Sequence, residues 1–332
     1  MFLEKNHKIR NIFPDTTKAT MKHDLPLTAK GHQGTQKRME QEFALVKLWE
    51  APDRAAALRE AAPRIRALAH TGHSKVDAAL MDALPKLEII ANFGVGVDQI
   101  DLDAAKKRGI IVTNTANTLN DCVADCAMAL VLNTLRKFPQ ADKYLRAGRW
   151  KSDGTYPFTT SLGGKTLGIL GLGRIGEEIA RRAEAFKMTI RYHNRNKKDV
   201  PYVYDPDAVT LAKNSDVLLV ITPGGADTDK LVNARVLDAL GPQGYLVNVA
   251  RGSVVDQSVL LQYLQQQKIA GAGLDVYEKE PDVPPEFFEL DNAVLLPHMA
   301  SASNETRSAM GDLQIENILL HLSGQPVKTP VV

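Results

Sequence analysis

Several things are scarce in this sequence, and each scarcity narrows what the chain can be. No apolar run approaches the roughly 20 residues needed to cross a bilayer, so no membrane association is expected. The first twenty residues, MFLEKNHKIRNIFPDTTKAT, are polar and basic and lack the apolar core of a secretory signal. Glu4 and Asp15 also spoil the acid-poor pattern of a transit peptide, and Met21 stands just before the first regular pattern, so residues 1–21 are expected to be a disordered extension. There are only two cysteines, Cys122 and Cys126. Their spacing would place two ligands on one helical face, but no further Cys or His follows nearby. They read as buried thiols of a reducing cytosol, with no metal site. A formal net charge of +2, without clustered basic residues, gives no reason to invoke nucleic acid. The expectation is a soluble, cytoplasmic protein whose 332 residues suffice for two domains with proper cores.

Strand and helix patterns alternate throughout. FALVKLWE, RIRALAH, KLEIIANFG and GIIVTNT read as buried strands, with DAALMDAL and DLDAAKKRG as helices between them; this small α/β unit ends near Ala116. NDCVADCAMALVLNTLRKFPQADKYLRAG then reads as a long helical stretch. Asn120 or Asp121 can cap it, Pro139 interrupts it and Gly148 can end it. After the loop SDGTYPFTTSLGG come TLGILG, TIRYHN, DVLLVIT, GYLVNVA, AGAGLDV and AVLLPH, the strands of a doubly wound parallel sheet. NETRSAMGDLQIENILLHLSG closes the chain as a helix with a glycine stop at Gly324.

TLGILGLGRIGEEIARRAEAF is a strand, a glycine turn and a helix start. Gly171 permits the tight turn, Gly173 lets backbone approach a pyrophosphate, and Gly176 allows close helix packing, with Ile179, Ala180, Ala183 and Phe186 facing the sheet. The next strand ends in RYHNRNKK. A site for NAD usually carries an acid there to accept the ribose hydroxyls. Here the place holds His193, Asn194 and Arg195, with Lys197 and Lys198 behind, which favours a 2′-phosphate and hence NADPH, NADH remaining possible.

Three further stretches put chemistry at the C-terminal ends of predicted strands, the rim where open α/β sheets bind ligands. LVNVARGSVVD brings Arg251, LDVYEKEP brings Glu280 and LLPHMASAS brings His298. A histidine there can give and take protons near neutral pH, a carboxylate behind it fixes the ring and favours its charged form, and an arginine offers a fork to an acid.

With NFGVGVDQID, GLGRIGEEIARR, LVNVARGSVVD, AGLDVYEKEP and LLPHMAS in this order, the chain resembles the D-isomer-specific 2-hydroxyacid dehydrogenase family from about Lys22 onward. YHNR and LRAGRW resemble its branch of NADPH-dependent glyoxylate and hydroxypyruvate reductases. The resemblance implies two doubly wound α/β domains. A Rossmann dinucleotide-binding domain, 118–302, is inserted into a flavodoxin-like substrate-binding domain formed by 22–117 and 303–332, with the active site between them.

It implies that Arg251 holds the carboxylate and carbonyl oxygen of a small 2-oxo acid, that His298 is the acid/base and that Glu280 is its partner. Val95 and Gly96 offer backbone N–H groups to the carboxylate, and Ser301 can touch the substrate. Arg174, Ile175, Thr222 and Pro223 join the glycines and the basic turn around the cofactor, and Asp275 sits near the nicotinamide amide. It further implies a homodimer in which Trp150 enters the partner's substrate site. A helix with apolar residues on more than one stripe (Val123, Ala127, Leu130, Val131, Leu135, Phe138, Tyr144) fits that expectation.

Relatives acting on phosphoglycerate or lactate share the triad but usually prefer NAD, which the basic turn opposes. Formate dehydrogenase of this fold has glutamine in place of Glu280. Corepressor relatives that sense NAD(H) use partner-binding grooves and tails, which the short ends here do not offer.

Overall fold

The computed structural model describes residues 22–72 and 74–332. The extension expected over residues 1–21 lies outside the described residues. Five strands, β1 (Asp24–Leu27), β2 (Ala44–Lys47), β3 (Ala67–His70), β4 (Ile89–Asn92) and β5 (Ile111–Thr113), form one sheet in the order β2-β1-β3-β4-β5. The helices among them are α1 (Gln33–Glu42), α2 (Arg54–Ala61), α3 (Ala78–Asp82) and α4 (Leu102–Lys107). Then α5 (Asn120–Arg136), α6 (Phe138–Arg146) and α7 (Arg149–Ser152) lead to a second sheet. Its strands are β6 (Thr166–Leu170), β7 (Thr189–His193), β8 (Val203–Tyr204), β9 (Val217–Val220), β10 (Tyr245–Asn248), β11 (Gly271–Leu274) and β12 (Ala293–Leu295), in the order β12-β11-β10-β9-β6-β7-β8. The crossover helices are α8 (Arg174–Ala185), α9 (Ala208–Lys213), α10 (Ala234–Leu240) and α11 (Gln257–Gln265), and α12 (Asn304–Leu322) ends the chain.

Every strand pairing is parallel. Parallel strands are covered by helices on both faces, so they read as unbroken apolar runs. Val217 to Val220 are wholly buried for that reason. Both orders are doubly wound, and the second reverses direction between β6 and β9, where such sheets open a ligand crevice. The last helix returns to the first sheet. Ile315 and Ile318 of α12 share a core with Leu25, Leu27 and Ile89, and the buried Gln314 amide donates to the carbonyls of His70 and Ala91 at 3.1 and 2.8 Å.

Some local expectations give way. Strand β1 was not foreseen: it has four residues and contains Pro26, which cannot donate to a ladder. Strand β8, only two residues long, is also new. RIRALAH yields a strand only from Ala67, because Ala62–Arg64 form a 3-10 turn around Pro63. Neither Asn120 nor Asp121 caps α5. Leu119 is at the N-cap without a side-chain bond, and Asp121 pairs with Arg182 of α8 at 2.8 Å instead. The long helix breaks two residues before Pro139, at Lys137, which takes left-handed backbone (φ 52°). Phe186 is 40% exposed and packs on no sheet, since α8 ends at Ala185. The apolar residues of α5 meet partners within the chain: Val123, Ala127, Leu130, Val131 and Leu135 are all buried. Of the same expected stripe, Phe138 on α6 is 46% exposed and Tyr144 half-buried, so only the part beyond α5 leaves apolar surface uncovered.

The glycine turn behaves as its spacing suggests. Gly171 has φ +108°, and a Cβ there would lie 2.7 Å from the backbone of Thr222 at the end of β9. A Cβ on Gly176 would lie 2.7 Å from the carbonyl of Gly171, whereas one on Gly173 would meet nothing within 4 Å. Two glycines let chain meet chain; the middle one faces open space. Gly171→Ala is therefore expected to destabilise the fold by about 1–3 kcal/mol through forced backbone and steric overlap, measured by denaturant unfolding. Gly173→Ala should leave stability unchanged and weaken dinucleotide binding.

Candidate active site

Asp275 directly follows β11 and is 1% exposed. Its carboxylate accepts the N–H groups of Met299 (2.7 Å) and Ala300 (2.9 Å), and its carbonyl accepts the N–H of His298 (2.8 Å). Burial pushes this carboxyl up from its ordinary range, against the downward pull of the two N–H bonds. Three bonds from one residue thus clamp the loop after β12 and hold His298 in left-handed backbone, φ 50°. So placed, His298 Nδ1 lies 2.5 Å from Oε2 of Glu280, whose Oε1 accepts the N–H of Tyr277 at 3.0 Å. Both members of the pair come from rim loops of the seven-stranded sheet.

Arg251 extends from the rim after β10. Its Nε donates to Oδ2 of Asp98 at 3.1 Å and its Nη1 to the carbonyl of Ala250 at 2.8 Å. Asp98 belongs to the loop after β4, so this ion pair joins the two sheets' rims. The same loop carries Val95 and Gly96. Asn92 Nδ2 donates to the carbonyls of Gly94 (3.0 Å) and Gly96 (2.9 Å), and Asn114 Nδ2 donates to that of Val95 (3.2 Å). Behind Asn92, the buried His70 ring places Nδ1 2.6 Å from its Oδ1 and Nε2 2.8 Å from the carbonyl of Ser74. The loop carbonyls are thereby turned inward. Among the described residues the N–H groups of Val95 and Gly96 bond to no protein acceptor, and they are available to a carboxylate.

The cofactor candidates separate into brackets and contacts. Gly173 is the N-cap of α8, with no side chain taking that role, and Arg174 and Ile175 open the helix. This leaves N–H groups and open space where a pyrophosphate fits. Asn194 holds the turn itself, accepting from Leu172 N–H (2.6 Å) and donating to its carbonyl (3.1 Å). His193 is tied through Nδ1 to the carbonyl of Asp205 at 2.9 Å. Lys198 is paired with Glu177 of α8. Arg195 remains outermost, 87% exposed along its side chain, with Asp227 3.6 Å away. Thr222 backs Gly171, and the carbonyl of Pro223 accepts from the Thr228 hydroxyl at 2.7 Å. The residues present fit a dinucleotide with an anionic substituent beyond β7.

Two expected substrate contacts are placed less directly. Ser301 is half-buried in the loop three residues past His298. Trp150 lies on α7, 65% exposed, beside Leu145, Gly148 and Lys151 rather than with the cleft residues. Cys122 and Cys126 are free and only half-buried, with burial pushing the Cys126 thiol up to about 12, and no cluster of metal-ligating side chains exists among the described residues. No helix among them is long and apolar enough to cross a membrane. Residue-by-residue reasoning missed Asp98, His70, Asn92 and Asn114. Asp98 stood inside NFGVGVDQID, a signal that was present but carried no geometry.

The fold, with its glycine turn opening α8 at the switch point of the second sheet, is that of a dinucleotide-dependent oxidoreductase. Residues 128–300 match the family D-isomer specific 2-hydroxyacid dehydrogenase, NAD binding domain. A glyoxylate/hydroxypyruvate reductase A of Arabidopsis thaliana is 46% identical over 295 residues, 89% of this chain and 94% of that protein. A hydroxyphenylpyruvate reductase of Plectranthus scutellarioides is 45% identical, over 90% of this chain and 95% of its own length. The crystal structure of an NADPH-dependent glyoxylate/hydroxypyruvate reductase from Sinorhizobium meliloti, in complex with NADP and malonate, superposes with a TM-score of 0.86 at 45% identity, covering 94% of this chain and 97% of that one. The chain belongs to the D-isomer specific 2-hydroxyacid dehydrogenase family and is an oxidoreductase.

The Glu280–His298 contact has a testable consequence. A glutamine offers Nδ1 no charge-assisted bond and can present its amide nitrogen instead, leaving the ring less firmly oriented. Glu280→Gln should therefore lower kcat/KM for 2-oxo acid reduction while the Kd for the dinucleotide holds; an unchanged kcat/KM would dissolve the pairing.

Proposed function

We propose that the protein reduces small 2-oxo acids, glyoxylate and hydroxypyruvate, to 2-hydroxy acids with NADPH as donor. The observation that supports this reading is a shared rim: His298, backed by Glu280, follows β12, while Arg251 follows β10 of the same sheet and is tied through Asp98 to the loop that carries Val95 and Gly96. Bound in the cleft, the reduced nicotinamide supplies a hydride to the substrate's C2. Arg251 and the loop N–H groups bind the carboxylate and fix its plane. As negative charge builds on the carbonyl oxygen, Arg251 stabilises it and His298 Nε2 passes it a proton. Glu280 holds the ring oriented. Ser301 would border the substrate from the histidine loop. Asp275 fixes that loop and would be the group to meet the carboxamide of a bound nicotinamide.

On this reading Gly171, Gly173, Arg174, Ile175, Gly176, Thr222 and Pro223 surround the cofactor, His193 and Asn194 shape the ribose end, and Arg195 reads the 2′-phosphate. The absence of an acid after β7 supports NADPH over NADH. Residues 118–302 form the dinucleotide domain, and 22–117 with 303–332 the substrate domain, a division supported by the core that α12 shares with β1 and β4. Unpaired half-buried thiols fit a reducing cytoplasm.

We also propose a homodimer. Its support is a set of exposed apolar side chains on α6, α7 and the next loop, Phe138, Leu145, Trp150 and Phe158; of the stretch 120–150 it is the part after α5 that offers them. Trp150 then narrows the partner's pocket.

The deciding experiment follows NADPH oxidation by the purified protein with glyoxylate, hydroxypyruvate and 4-hydroxyphenylpyruvate. The small acids should give the higher kcat/KM; no turnover of any 2-oxo acid would overturn the reading. His298→Ala and Arg251→Ala should each lower kcat/KM at least about a hundredfold. Arg195→Ala should raise KM for NADPH and leave that for NADH nearly unchanged, whereas equal effects would free Arg195 of this role. Light scattering should give about twice the chain mass, and Trp150→Ala should shift the order of substrates while cofactor binding holds; a micromolar monomer would contradict the dimer.

A further inference from the structure

The Arg251–Asp98 pair is poorly explained as a prop for the fold. Its side chains are still 33% and 24% exposed, and an ion pair in contact with water is weak evidence for a stabilising role. Its geometry is more informative. The guanidinium has five N–H donors; Nε–H goes to Asp98 and one Nη1 hydrogen to the carbonyl of Ala250, one residue back. Three donors on Nη1 and Nη2 are left over, and a guanidinium offers such donors to a carboxylate two bonds at a time.

Two glycines confine the side chain. A Cβ on Gly96 would lie 1.8 Å from Nη2 and 2.8 Å from Asp98 Oδ1, and a Cβ on Gly224 would lie 2.9 Å from Arg251 Cγ. The arginine therefore runs over two bare backbone segments, and its Nη2 lies beside the loop whose Val95 and Gly96 N–H groups are open. Asp98 sits on that same loop, one strand end away in the other sheet.

We propose that Asp98 is a positioning residue for the reaction: by taking the Nε–H of Arg251 across the cleft, it turns the arginine's remaining donors toward the substrate carboxylate and carbonyl oxygen. This rests on the reading of Arg251 as the substrate's arginine. The pair also makes the arginine's aim depend on the two rims being together, because neither half holds Nε–H alone. Without Asp98 the guanidinium keeps its Ala250 bond but rotates about it, and misplacement by about an ångström costs up to about a hundredfold in rate.

Asp98→Ala and Asp98→Asn are compared with the intact protein, measuring kcat and KM for glyoxylate, the Kd for NADPH, thermal stability, and the Kd for malonate with NADP saturating. Asp98→Ala should raise KM for glyoxylate and lower kcat, each at least about tenfold. Asn keeps an oxygen acceptor for Nε–H, so Asp98→Asn should recover most of kcat. NADPH affinity and melting temperature should stay near those of the intact protein. Unchanged kcat and KM in Asp98→Ala would overturn the proposal. So would parallel losses of NADPH affinity and melting temperature with no rescue by Asn, the mark of a merely structural role. If the intact protein reduces no 2-oxo acid, the proposed function fails while malonate still decides on Asp98: the Ala variant should bind it at least about tenfold more weakly, and equal binding would overturn the proposal.

Discussion

The site depends on one buried carboxylate. Asp275 commits both oxygens and its carbonyl to three successive residues of another loop, so the position of His298 is fixed from β11 rather than by the loop that carries it. A carboxylate with so little water around it is costly unless its bonds are made, and here backbone N–H groups make them. That clamp brings the histidine to Glu280. The ring is thus ordered by the fold and not by its own loop.

The opposite wall is built by different means. The loop after β4 has no regular structure, and side-chain amides take the place of a ladder. Asn92 and Asn114 hold its carbonyls, and His70 holds Asn92, with the buried Gln314 of α12 donating to the carbonyls of His70 and Ala91. The network is not closed everywhere, since the buried Oε1 of Gln314 has no hydrogen-bond partner, but the loop carbonyls are each held by an amide. The two walls, one set by a carboxylate and one by amides, meet where Arg251 reaches Asp98.

Much of the fold was legible because buried parallel strands are apolar runs and because glycine spacing has few structural meanings. DVLLVIT, GYLVNVA and TLGILG became β9, β10 and β6. Short elements were not legible: β1 interrupts its run with Pro26, and β8 has only two residues. The break at Lys137 depends on a left-handed residue whose side chain carries no signal of it. In the site, Arg251, Glu280 and His298 announced themselves by following strands. Their supports did not, since His70 and Asn92 lie 22 residues apart and Asp98 and Arg251 lie 153 apart. Pairings of that separation are made by topology, not by local pattern. The α5 stripe misled because a helix buried between a sheet and a neighbouring helix is apolar on more than one face, as an interface helix also is.

The account stands on His298 giving a proton in one direction and taking it in the other. The most direct measurement is kcat/KM across pH for glyoxylate reduction and, with the same preparation, for glycolate oxidation. Reduction needs the charged ring and should fall as pH rises; oxidation needs the neutral ring and should rise over the same interval. Limbs running in opposite directions are the predicted result. Limbs running in the same direction, or a pair that survives in His298→Ala, would contradict the account.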